Sequence, residues 1–146
     1  ARAAGCHHPV VRSEQSLVDV VREVTDGEGC AVVYEAIGKD TMQHSLDSLR
    51  PMGVCAAYGH VSGPPDPVDI IQDLGRRGSL FITRPAIMHY VAKRADLEWT
   101  ARDLFKAIGD GLLEANINYE YALKDAVKAH EAIESGKTLG ATVLIP

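Results

Sequence analysis

Gly53-Val54-Cys55-Ala56-Ala57-Tyr58-Gly59-His60-Val61-Ser62-Gly63 is the stretch on which the reading of this chain turns. Five small or apolar residues, Val54 to Tyr58, run without a polar interruption into a turn punctuated by glycine. A run of this kind predicts a strand buried on both faces, as the strands of parallel sheets are. In open α/β sheets ligands lie outside the carboxyl ends of such strands, which makes the Tyr58–Gly63 turn the leading candidate for a binding surface.

Working upstream, Cys30-Ala-Val-Val-Tyr-Glu-Ala-Ile-Gly38 is a second buried-strand run that also ends on glycine. Lys39-Asp40-Thr41 opens a helix with Met42, Leu46 and Leu49 on one face and Pro51 just past its end, and Gly53 then starts the next strand. Strand, helix, strand with short connections is the βαβ unit of a parallel sheet. Before it, Ser13 is placed to cap a helix carrying Leu17, Val20, Val21 and Val24, which ends in the Asp26–Gly29 turn. Residues 6–12 suit a short strand that Pro9 confines to an edge.

Downstream, Pro64–Pro67 makes a rigid loop, followed by a short helix with Val68, Ile71 and Leu74. A third strand spans Ser79–Arg84 and is stopped by Pro85. A longer helix carries Leu97, Ala101, Leu104, Phe105 and Ile108 and stops at Gly109–Gly111, with Trp99 off its stripe. The remainder reads as an extended segment from Leu112 to Tyr121, a helix from Leu123 to Ile133, a loop, and a last strand from Ala141.

The 146 residues suffice for one domain, or one domain and part of another. A net charge of -5 with no basic stripe argues against nucleic acid as the main partner. No window is long and apolar enough to span a bilayer, so no membrane association is expected. Cys6, Cys30 and Cys55 are far apart and odd in number, which predicts buried free thiols and a reducing cytoplasm rather than a disulfide framework. The opening Ala-Arg-Ala-Ala-Gly5 reads as the last turn of a helix closed by glycine, and a preceding segment is expected.

Most sequence motifs that carry chemistry are missing. Gly136-Lys137-Thr138 looks like the end of a phosphate-binding loop, but position 131 is Glu131, and a helix precedes it where a strand is required. It is better read as a surface loop whose Lys137 approaches an anion. No Gly-x-Gly-x-x-Gly, Gly-x-Ser-x-Gly or His-Glu-x-x-His occurs. His7 and His8 are adjacent and face opposite ways on a strand, so they do not chelate one metal. Glu35 is either a catalytic carboxylate at a strand end or, more commonly, a residue that caps the next helix or meets a lysine. Thr83-Arg84-Pro85 ends the third strand on the same expected rim as Tyr58–Gly63. There Arg84 either meets a carboxylate or phosphate or simply fixes the strand end.

The pieces Gly-Cys-His-His-Pro-Val-Val, Asp-Gly-Glu-Gly-Cys-Ala-Val-Val-Tyr-Glu-Ala-Ile-Gly, Leu-Arg-Pro-Met-Gly, Ala-Tyr-Gly-His-Val-Ser-Gly, Ser-Leu-Phe-Ile-Thr-Arg-Pro, Leu-Lys-Asp-Ala-Val-Lys-Ala-His-Glu-Ala-Ile-Glu-Ser and Thr-Val-Leu-Ile-Pro come in that order. Together they resemble the C-terminal half of quinone oxidoreductases of the zeta-crystallin type, in the zinc-free branch of the medium-chain dehydrogenase/reductase superfamily. The resemblance implies an α/β fold, with a partial Rossmann-type parallel sheet and flanking helices over residues 1–111. Residues 112–146 would be a strand-helix-strand segment of the GroES-like catalytic domain. The catalytic domain's other strands, the first two Rossmann strands and the glycine-rich turn would precede this chain.

The same resemblance implies NADPH as cofactor and a quinone-like small molecule, or a related activated enone, as substrate of the whole protein, with this chain expected to be inactive in isolation. By position, the cofactor surface would comprise Ala36, then Tyr58, Gly59, His60, Val61 and Ser62, then Ile82, Thr83 and Arg84. Arg12 stands where a tyrosine often contacts the adenosine end, and Lys137 is next to Gly136, where an arginine is frequent. No acid–base, nucleophilic or metal-ligating residue carries over, because the hydride or electron comes from the cofactor. In the strand order 3-2-1-4-5-6, the Ala31–Ile37 strand lacks its neighbour and becomes an edge, so a homo-oligomer, a dimer in the simplest case, is expected by edge pairing or exchange of the C-terminal segment. The alternatives are an enoyl reductase domain of a polyketide synthase and a non-catalytic, self-associating structural module.

Overall fold

Three parallel strands, β1 (Cys30–Glu35), β2 (Leu49–Ala57) and β3 (Phe81–Thr83), lie side by side in that order in the computed structural model, which describes residues 1–146. Their registers align rows of side chains. Val33, Cys55 and Ile82 form one row, and Val32, Val54 and Phe81 form the next, on the opposite face. The first face is the core. There α2 (Met42–Asp47) covers β1 and β2, and Met42, Leu46, Leu49, Cys55, Ala57 and Leu80 are buried together. The second face is open, with Val32 and Phe81 exposed and Tyr34 76% exposed. The expectation of strands buried on both faces is therefore corrected within this sheet: the apolar run covers both faces, and packing covers one.

Helix α1 (Leu17–Val24) packs on α2. Its cap is Ser16 rather than the expected Ser13, with the Ser16 hydroxyl accepting from the Asp19 N–H at 3.3 Å. Arg22 joins the lower ends of both helices, donating to Gly27 O at 2.8 Å and to Asp47 O at 2.9 Å. Residues 6–12 form no strand; they are loop and turn leading to α1. Helix α2 is shorter than its periodicity suggests. Leu49 belongs to β2, paired with Cys30, and a bulge carries Pro51 and Met52 (φ 60°) before regular pairing resumes at Val54. A bulge is where a strand tolerates proline, which has no N–H to give the ladder. The expected short helix after the proline loop is a π-helical turn, Ile70–Gly75.

These elements belong to a compact unit, Ala1–His89, and Tyr90–Pro146 form a second. A single helical turn, α3 (Ile87–Tyr90), follows β3 in sequence and spans the boundary of the two units. The second unit contains α4 (Arg94–Gly109), β4 (Ile117–Ala122), α5 (Ala126–Glu134) and β5 (Ala141–Ile145). Strands β4 and β5 pair in parallel, so the expected strand-helix-strand order is present. Of its residues only Ala129 is fully buried.

The three thiols are free, as expected, yet only Cys55 is buried; Cys6 is exposed and Cys30 intermediate. Burial, and secondarily the negative charge of Glu35, pushes the Cys55 thiol up to about 11. Iodoacetamide at neutral pH is expected to label Cys6 first, with Cys55 labelled only at the rate of unfolding. Mass spectrometry over a denaturant series checks this, and prompt labelling of Cys55 in the native protein would contradict the packing.

Candidate functional site

Parallel strands put their carboxyl ends on one side, and the pairings Glu35 with Ala57 and Ala56 with Thr83 bring three strand ends level. Ala36, the Tyr58–Ser62 turn and Ile82–Arg84 consequently share one rim. Beneath it lies the Glu35 side chain, 3% exposed. Its Oε1 accepts from the Ile37 N–H at 2.6 Å, the Gly38 N–H at 2.9 Å and the Thr41 hydroxyl at 2.8 Å, while Oε2 accepts from the Ser45 hydroxyl. Burial works against the charged form of Glu35. The bonds from Ser45, Gly38, Thr41 and Ile37 outweigh it and hold the carboxyl below its ordinary range. No cation is involved. Glu35 holds the turn that leads into α2 rather than capping the helix, whose N-cap is Thr41, with no side-chain cap bond.

The rim turn is fastened to the turn after β1. Tyr58 N–H and Gly59 N–H both donate to Glu35 O, at 2.9 and 3.3 Å, and Val61 N–H donates to Ala36 O at 3.3 Å. Ile37 O accepts from both the N–H and the hydroxyl of Ser62, each at 2.8 Å, and the same hydroxyl accepts from Asp40 N–H at 3.0 Å. The two turns touch so closely that a Cβ on Gly59 would lie 2.3 Å from Ala36 O, and one on Gly38 would lie 2.5 Å from Gly63 O. Glycine is required at both positions by contact.

These bonds spend the backbone donors of Tyr58, Gly59, Val61 and Ser62 inside the protein. What the rim offers a ligand is side chains: exposed Tyr58, His60, Val61, Thr83 and Arg84. Arg84 Nη1 donates to Tyr58 O at 2.7 Å and Pro85 O at 2.9 Å, tying β3 to β2. Its other nitrogens make no bond within the chain, leaving them for an acceptor. Phenol, hydroxyl and guanidinium groups form a donor set that fits a carboxamide or an anion.

Arg12 lines a cleft at the start of α1 with Gln15, Ser16, Leu17 and His44, none of them a rim residue. His44 was not singled out by the sequence; it stands on α2, two residues past its start. Lys137 lies in the loop between α5 and β5 of the second unit. The Glu35 network was also unrecognised, although Thr41 and Ser45, four apart beside the apolar face of α2, are the pattern of polar residues that need a buried partner.

Residues 4–144 match the model of a protein family described as zinc-binding dehydrogenase. The chain belongs to that family. It is 49% identical over 146 residues to a 2-haloacrylate reductase of Burkholderia sp, covering all of this chain and 44% of the relative. It is 36% identical over 148 residues to quinone oxidoreductase 1 of Escherichia coli strain K12, covering 45% of that protein. Among solved structures, 2-haloacrylate reductase superposes with a TM-score of 0.92 at 48% identity, over 99% of this chain and 45% of the other. Escherichia coli quinone oxidoreductase complexed with NADPH superposes with a TM-score of 0.91 at 35% identity, again over 99% and 45%. This chain thus spans under half the length of these dehydrogenase relatives, and its parallel α/β architecture is theirs. Despite the family's description, no group of three His, Cys, Asp or Glu side chains is placed to hold a metal.

Two outcomes are expected for this site. Gly59→Ala should displace the rim turn and destabilise the fold by about 1–3 kcal/mol in urea denaturation. An unaltered midpoint would show that the turn yields freely. Glu35 has a lowered pKa, so its unfolded form takes up a proton first, near the ordinary value of 4.5, as pH falls. Its stabilisation is full above that value and lost as pH drops through the folded pKa. Urea midpoints between about pH 3 and 7 should therefore fall more steeply for the native chain than for Glu35→Gln.

Proposed function

We propose that the protein carrying this chain is an NADPH-dependent oxidoreductase that reduces quinones or related activated carbonyl and enone acceptors. The observation that carries the reading is the likeness to the NADPH complex of a quinone oxidoreductase over 99% of this chain. The rim supports it, since its exposed donor set suits the carboxamide end of a nicotinamide. When bound, the cofactor supplies the hydride or electrons. The chain's residues bind and orient it. In this reading Tyr58, Thr83 and Arg84 serve the nicotinamide end, with Ala36, Gly59, His60, Val61, Ser62 and Ile82 shaping the surface. Arg12 serves the adenosine end, where a guanidinium stacks on the base or meets the 2'-phosphate. Lys137 supplies a further positive charge for an anion.

The reading also assigns residues 1–111 to the dinucleotide-binding domain and 112–146 to the catalytic domain, and takes the working protein to be a zinc-independent cytoplasmic dimer. No helix is long and apolar enough to cross a membrane. A second reading of the substrate has its own support. Identity to the 2-haloacrylate reductase is 49%, against 36% to 39% for three bacterial quinone oxidoreductases, which favours an activated acrylate whose double bond is reduced. Both substrates are electron-poor conjugated systems, and one rim serves either.

Titration of the full-length protein that carries this chain with NADPH, followed by nicotinamide fluorescence and repeated with NADH, should give saturable binding that is tighter for NADPH. Thr83→Ala should weaken it roughly fivefold, the worth of about one hydrogen bond, with the melting temperature unchanged because the side chain is exposed. NADPH oxidation measured with a quinone and with a 2-haloacrylate then separates the two substrate readings. Absence of binding at millimolar cofactor (~, far above typical cofactor affinities) would overturn the assignment.

A further inference from the structure

We propose that Glu35 is a positioning residue: through its carboxylate and its own carbonyl it sets the Tyr58–Ser62 turn where a nicotinamide-end ligand requires it. The inference deepens the cofactor reading above and rests on it for the identity of the ligand. Three observations carry it. The carboxylate is buried and accepts four bonds, two from the backbone of Ile37 and Gly38 and two from hydroxyls on α2. The Glu35 carbonyl accepts both Tyr58 N–H and Gly59 N–H. The segment that the carboxylate fixes is in turn the seat for Ser62, which bonds Ile37 O and Asp40 N–H.

One residue therefore holds both turns, each by a different part. A carboxylate suits the place because its two oxygens offer several acceptor sites and no donor, matching four convergent donors. The neutral partners stabilise its charge as an oxyanion is stabilised, by oriented N–H and O–H groups. Gly38 and Gly59 then convert small changes in the lower turn into displacement of the upper one, because no side chain cushions the contact. Glu35 touches no ligand in this arrangement; it acts through Tyr58 to Ser62.

The test is amide hydrogen exchange on the intact protein, with NADPH titration as a second arm. Glu35→Ala should accelerate exchange at residues 58–62 by roughly 10- to 100-fold relative to the strand amides of Cys55 and Ile82, since several bonds are lost. Glu35→Gln keeps an acceptor oxygen for Ile37, Gly38 and Thr41 and should restore most of the protection. Ser45→Ala removes one donor to the same carboxylate and should lower global stability without changing that ratio. Where the native protein binds NADPH, affinity should fall at least roughly tenfold in Glu35→Ala, recover in Glu35→Gln, and persist in Ser45→Ala. Uniform acceleration across the sheet, or a Gln variant as loose as the Ala variant, would overturn the proposal. If the native protein binds no NADPH, the cofactor reading fails, and the exchange ratios still decide whether Glu35 positions the rim. If NADPH binds and Glu35→Ala retains full affinity, the positioning role fails alone.

Discussion

A carboxylate buried at the end of a strand, with no cation nearby, must be paid for by hydrogen bonds or be neutralised. In this chain Glu35 gathers four donors from the segment between Ile37 and Ser45, and that convergence accompanies the bend of the backbone after β1 into the start of α2. Much else follows from the bend. It brings Met42 and Leu46 over β1 and β2, closing the core, and it presents Ala36 O and Ile37 O to the turn after β2. Burial, reinforced by the negative charge of Glu35, raises the Cys55 thiol and keeps it neutral within the core.

The second constraint is contact between two turns. Where a glycine-rich loop binds phosphate, its N–H groups point at the ligand. Here the glycine-bearing turn does the opposite, directing the N–H groups of Tyr58, Gly59, Val61 and Ser62 to the carbonyls of Glu35, Ala36 and Ile37 at the end of β1 and using glycine for close approach. Recognition on this rim is left to side chains and to any unpaired carbonyl. That division suits an uncharged ring with a single amide better than a pyrophosphate, whose charge calls for several aligned donors.

How much of this was legible in the sequence differs by level. The strand-helix-strand order and parallel pairing were readable because apolar runs ending on glycine, with a short helix between them, have few other solutions. Boundaries were less so. Leu49 kept the helical spacing of Met42 and Leu46 and is as buried as they are, yet it sits in β2. Burial and periodicity could not separate the two, and the break lies in backbone conformation at Pro51 and Met52. Ser13 and Ser16 are equally good caps by composition, and only the bond to Asp19 N–H distinguishes them. The Tyr58–Gly63 turn and Thr83–Pro85 were readable as a candidate surface from strand ends, and Ala36 and Ile82 were added by the family resemblance, whereas Glu35's partners are scattered over positions 37, 38, 41 and 45 and become a set only once the chain turns.

On the cofactor reading proposed above, hydride or electron chemistry would place its own demand on this rim. The reactive atoms would then belong to the cofactor and the acceptor, and this chain would contribute distance and orientation. Orientation is lost by small displacements, and it is preserved best by bonds that are short, buried and numerous. An exposed Thr83 or Tyr58 supplies contact, but its position is only as good as the backbone beneath it. By that argument the groups that matter most for function in this chain need not face the ligand. A fully hydrogen-bonded carboxylate under two touching turns fixes the rim more firmly than any solvent-facing side chain, because moving it would strand several buried donors at once.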